Sequence, residues 1–231
     1  MLQNTRELCA HKLTASDGEI GHVKDFYFDD KAWVIRYLVA DTGSWLTGRQ
    51  VLLSPHAFGR VDRNEKTFAV NLTRKQIEGS PSIESHRPVS RQYEEDYYGY
   101  YGWPAYWEGG GLWGMAGNPA ITPLATLEKL HHHGHNQRDD LHLRSVTGMK
   151  GYGIQASDGE IGSVSGFMVD EKSWAIRDLI VETGHWFSSK EILIAPGKIA
   201  RISHEDSKVF VKLTKAAIEH TAENEAVKSR A

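Results

Sequence analysis

Cysteine is almost missing from this chain: Cys9 stands alone among 231 residues. No intrachain disulfide can form, so the fold must rest on its core, as expected in a reducing compartment. No hydrophobic run approaches the ~20 residues of a membrane span, and the opening MLQNTRELCAHKL has no apolar signal region. A cytoplasmic, soluble protein is expected. Nor is charge of one sign in excess, the formal net charge being -3. Such a balance supplies no field to gather a polyanion, which argues against nucleic acid as a partner. Finally, no nucleophile, base and orienting group recur together, so no catalytic residue is assigned and no enzyme is expected.

What the chain does have is a repeat. Residues 15–78 align without a gap on residues 156–219 at an offset of 156 − 15 = 141, with about 26 of 64 positions identical. Ala15 to Gly21, ASDGEIG, returns unchanged as Ala156 to Gly162; Trp33-Val34-Ile35-Arg36 returns as Trp174-Ala175-Ile176-Arg177. One fold has been built twice. The expected boundaries are a first repeat at 1–84, a connecting segment at 85–144, and a second repeat at 145–231 with a C-terminal helix.

Within each repeat, Asp17-Gly18 and Asp158-Gly159 supply the positive backbone angles of a tight hairpin. Phe26 and Phe28 then alternate with polar neighbours at period two, as a half-buried strand does. Gly21 and Gly162 interrupt that strand at equivalent points, which predicts a bulge or tight bend. The stretches Trp33 to Asp41 and Trp174 to Glu182 are β-branched and aromatic over about nine positions, favouring strand. Arg36 with Asp41, and Arg177 with Glu182, are expected to form ion pairs that fix register. Short segments before Pro55 and Pro196, and a last hairpin through Asp62 to Lys66, complete the set. Thr73 and Gln76 have capping-box spacing, so a short helix should follow; the one after Thr214 should be longer. The fold class is mainly β: two small antiparallel barrels, each followed by a short helix.

The DGEIG hairpin, the WxIRYLVxDTG strand with its Trp-containing turn, the VLLSP strand and the terminal VNLT segment together resemble the PRC-barrel family. That fold is named for the cytoplasmic domain of the photosynthetic reaction centre H subunit and also occurs in a ribosome maturation factor. The tandem arrangement is similar to bacterial two-barrel proteins grouped with stress adaptation. The resemblance implies a non-catalytic interaction or scaffolding protein. A reaction-centre-like or ribosome-maturation-like assembly role is an alternative implied by the same resemblance.

Residues 80–147 have no counterpart in the repeat and hold the unusual chemistry. Tyr93, Tyr97, Tyr98, Tyr100, Tyr101, Trp103, Tyr106, Trp107 and Trp113 crowd one window among glycines and the acids Glu94, Glu95, Asp96 and Glu108. Rings in such density either pack on the barrels or a second subunit, or form an exposed arm for a protein partner. The candidate partner-binding residues are therefore Tyr98, Tyr101, Trp103 and Trp107, with Trp45 and Trp186 in the equivalent turns of the two repeats. His131, His132, His133 and His135, with Asp139, Asp140 and His142 nearby, are candidate divalent-metal ligands. This gives a second function class, a metal- or ligand-binding protein built on the central segment. A flexible His-rich tract more often binds metal only adventitiously, so no cofactor is assigned. Packing between the barrels about a pseudo-twofold axis, and a possible homo-oligomer, are the further expectations.

Overall fold

A computed structural model describes residues 1–81, 89, 91–109, 111–114, 143–184 and 191–219. It is mainly β, as expected, with two sheets of seven strands each. The chain opens with β1 (Leu2–Asn4) and a single helical turn, α1 (Thr5–Leu8). The first repeat supplies β2 (Lys12–Ala15), β3 (Gly18–Asp29), β4 (Val34–Asp41), β5 (Gln50–Leu53), β6 (Phe58–Asp62) and β7 (Thr67–Val70). Two helices follow, α2 (Arg74–Glu78) and α3 (Arg91–Tyr101). β8 (Leu143–Ser145) precedes the second repeat, which contributes β9 (Gly153–Ala156), β10 (Gly159–Asp170), β11 (Ile176–Thr183), β12 (Glu191–Ile194), β13 (Ile199–Ser203) and β14 (Lys208–Val211).

Strand order is β5-β4-β3-β2-β7-β6 in one sheet and β12-β11-β10-β9-β14-β13 in the other, the same order shifted by one repeat. The ladders are antiparallel except β2 with β7 and β9 with β14, which run parallel. Parallel neighbours need a long connection, and here the whole repeat supplies it. The hairpin expected at Asp17-Gly18 closes β2 onto β3, with Ala15 opposite Gly18. The register shifts by one residue at a bulge between Thr14↔Glu19 and Leu13↔Gly21, and again between Gln155↔Glu160 and Ile154↔Gly162. Gly21 has φ +120°, and a Cβ there would run into the Asp41 carbonyl of β4; Gly162 meets the Glu182 carbonyl in the same way. Both the backbone angle and the close approach demand glycine. The expected capping box is present, Thr73 accepting from the Gln76 amide at 3.3 Å and Gln76 accepting from the Thr73 amide at 2.9 Å. After Thr214 the helical turn holds Ile218 N–H on Thr214 O at 3.1 Å. The greater length expected of that helix lies outside the described residues.

The two compact units do not follow chain order. The first unit comprises Met1, Glu7–Ser145 and Glu171–Ala175; the second comprises Leu2–Arg6, Val146–Asp170 and Ile176–Ala231. In the first, β8 adds to β3 with Ser145 opposite Tyr27 and Leu143 opposite Asp29. In the second, β1 adds to β10 with Asn4 opposite Met168 and Leu2 opposite Asp170. These registers coincide once 141 is added, so each sheet carries the strand that precedes the other repeat. Trp174 also belongs to the first unit: its ring lies 4.6 Å from that of Phe58, 5.7 Å from Phe68 and 6.2 Å from Phe26, and only 3% of the residue is exposed. The remaining core of this unit includes Leu13, Ile20, Phe28, Ile35, Leu38 and Val51; that of the second includes Ile154, Ile161, Phe167, Leu179, Val181 and Val209.

Candidate functional site

In the first unit, α3 and the segment after it lie on the outer face of β4 and β5. Tyr93, Tyr97 and Tyr101 fall four residues apart, as do Glu94 and Tyr98, so one helical face carries four rings and a carboxylate. The helix stops by a Schellman arrangement. Gly102 takes φ +67°, its N–H reaches Gly99 O at 3.3 Å, and Trp103 N–H reaches Tyr98 O at 3.0 Å. That reversal turns Trp103, Tyr106 and Trp113 back toward the sheet.

The rings are packed, not displayed. Tyr97, Tyr98, Trp103, Tyr106 and Trp113 are buried, with Trp103 stacked on Tyr101 at 4.4 Å. Each ring of this size contributes on the order of 2 kcal/mol by leaving water. Their polar atoms find partners in the sheet. Glu94, fully buried, accepts from Tyr37 OH at 2.6 Å and from Tyr106 OH at 2.8 Å. Tyr97 OH donates to Leu52 O at 3.1 Å and accepts from Ser54 N–H at 2.9 Å. Since β5 ends the strand order, those two backbone groups face outward from an edge, and one phenol satisfies both. Burial holds the Tyr37 and Tyr97 phenols well above their ordinary value, and Tyr101 is pushed up to about 12.

Arg36 is the cation at the centre of this packing. Tyr27 pairs with Tyr37 and Phe28 with Ile35, which leaves Arg36 as the extra residue of a bulge on β4. A bulge re-aims its side chain. The guanidinium donates to Asp29 at 3.2 Å and to the Leu112 carbonyl, and lies 3.8 Å over the Tyr106 ring. The expected pairing of Arg36 with Asp41 is thus corrected: both sit on β4, and Asp41 instead accepts from Gly43 N–H at 3.0 Å. Arg177 likewise does not hold Glu182; it is exposed, while Glu182 lies 3.9 Å from Arg6. His56 borders the same packing, 5.5 Å from Trp103 and 5.4 Å from Trp113. Burial, aided by the nearby Arg36 charge, lowers its imidazole to about 4, so it is neutral at pH 7.

Of the candidate residues, Tyr98 and Trp103 are buried here, and Tyr101 and Trp107 are half-buried, Trp107 lying 5.4 Å from Tyr98. Trp45 is half-buried in the turn after β4, with the Arg74 guanidinium 4.7 Å from its ring. Trp186 and His131, His132, His133 and His135 lie outside the described residues. Among the described residues no group of three metal-ligating side chains is assembled. Sequence reasoning missed Arg36 as a buried cation, Trp174 as a core residue of the first unit, and the helical phase of the tyrosines. The four-residue Tyr spacing followed by Gly102 and Pro104 was the available signal for that last feature.

The outer sheet face of the first unit thus carries an aromatic helix of its own chain. Residues 13–77 match the family described as PRC-barrel domain. The match covers the first repeat; the second is related to it by the shared offset and strand order. The chain is also 32% identical over 101 residues to an uncharacterized protein of Deinococcus radiodurans, a stretch that takes in 43% of this chain and 35% of that protein. The chain therefore covers only about a third of that relative's length. Among the described residues, no helix is long and apolar enough to cross a membrane.

Proposed function

We propose that this chain is a non-catalytic interaction and scaffolding protein, working in bacterial stress adaptation, whose PRC-barrel-type sheets hold peptide segments of other proteins on their outer faces. One observation carries the reading: the first unit already holds such a segment, residues 93–109 and 111–113 of its own chain, by ring burial, by the Arg36 guanidinium and by a phenol on the β5 edge. A sheet face that binds one aromatic segment has the means to bind others. The stress setting draws on the likeness to two-barrel bacterial proteins. Crosslinking in living cells followed by purification of the chain tests the proposal. A protein recovered reproducibly and in near-stoichiometric amount is the expected result. Recovery of the chain alone, under both unstressed and oxidative conditions, would overturn it.

A further inference from the structure

The second unit has the same sheet edge, and among the described residues nothing equivalent to α3 covers it. Ile180 pairs with Leu193 as Val39 pairs with Leu52, so β12 holds β11 in the register in which β5 holds β4. In an antiparallel ladder that register fixes which backbone groups face the partner strand and which face away. Leu52 O and Ser54 N–H face away, since both meet Tyr97. Leu193 O and Ala195 N–H must do the same. Among the described residues no side chain reaches either group. Around them the outer face is open: Leu193 is 42% exposed where Leu52 is buried, and Arg177 is exposed where Arg36 is covered. Small residues keep the approach clear, with Ala195 in place of Ser54 and Gly197 in place of His56.

We propose that the β12 edge of the second unit docks a tyrosine-bearing aromatic segment of a partner protein, its phenol bridging Leu193 O and Ala195 N–H and its ring lying on Leu193. The sister unit points to the occupant, since its equivalent atoms hold a tyrosine and its equivalent leucine is buried. Arg177 adds a cation that would favour an acidic residue near the tyrosine, as Glu94 and Asp96 precede Tyr97. The inference rests on the interaction reading above and names its surface and partner chemistry.

A labelled peptide of residues 91–107, RQYEEDYYGYYGWPAYW, offered to the intact chain is the probe. It is expected to bind at micromolar concentration, and a peptide with Tyr97→Phe to bind about fivefold to tenfold more weakly through loss of the bridging hydroxyl. The discriminating protein variant is Ala195→Pro. Ala195 has φ -67° and follows a strand residue, so proline fits its backbone while deleting the outward N–H. This variant should melt as the parent does and bind the peptide at least about tenfold more weakly; Leu193→Ser, which leaves the edge amide in place, should weaken binding as well. Absence of binding to the intact chain overturns the proposal, whether the chain's own residues hold the edge or nothing does. Binding unaffected by Ala195→Pro overturns it too, since the peptide then sits elsewhere. If the Ala195→Pro chain still recovers its crosslinked cellular partner, the interaction reading stands and the edge assignment falls.

Discussion

β4 and β11 share a fold position, a register and the bulged arginine, yet the environments of their outer faces differ. On β4 every residue from Val34 to Ala40 is buried; on β11 Arg177 and Glu182 are exposed and Asp178 is half-exposed. The neighbouring strands repeat the contrast, Leu52 being covered and Leu193 open. What differs is the outside of the sheet, while both interiors keep the same apolar alternation. The two repeats thus share their core and differ on the outer face.

The contrast between the two repeats should appear first in their equivalent tryptophans. Trp174→Ala removes an indole enclosed by Phe26, Phe58 and Phe68 and should cost about 3–5 kcal/mol of stability by urea unfolding. Trp33→Ala, at the equivalent position but half-buried against Phe28 at 5.6 Å, should cost clearly less. A loss at Trp174 no larger than that at Trp33 would contradict the difference in their burial.

Acid should separate the units next. His56 is held neutral, with a folded value of about 4 below its unfolded one. Its contribution is therefore complete above an unfolded value of ~6.5 and is lost as pH falls from there toward about 4, by up to roughly 3 kcal/mol. Unfolding midpoints measured across that window should fall more steeply for the parent than for His56→Phe. Gly197, at the equivalent site, gives the second unit no such dependence.

Replacing the two arginines should give a smaller but cleaner contrast. Arg36→Met strips a buried cation from Asp29 and Leu112 O and should cost about 2–4 kcal/mol, whereas Arg177→Met should stay within about 0.5 kcal/mol. Tyr97→Phe comes last, at about 1–2 kcal/mol, because it keeps the ring and loses only the two edge hydrogen bonds. Each is read from the shift of the urea midpoint at constant slope.

Much of the fold could be read from local chemistry. Asp17-Gly18 marked a hairpin, Gly21 a bulge, and Thr73 with Gln76 a helix start, because each of those signals acts within a few residues. The parallel pairing of β2 with β7, the placing of β8 on β3, and the insertion of Trp174 among the phenylalanines of the other repeat were not legible. They join residues far apart in the chain, and a local pattern carries no address for its distant partner. Arg36 shows the same limit at the site: its residue type was plain, but one unpaired position in a ladder decided whether it met Asp41 or Asp29.

One sheet edge is occupied and, among the described residues, its twin is open; amide hydrogen exchange of the intact chain tests this contrast most directly. Ser54 N–H, bonded to the buried Tyr97 phenol, should exchange at least about a hundredfold more slowly than Ala195 N–H, and Tyr97→Phe should bring the two rates together. Comparable rates in the parent chain, fast or slow, would contradict the account.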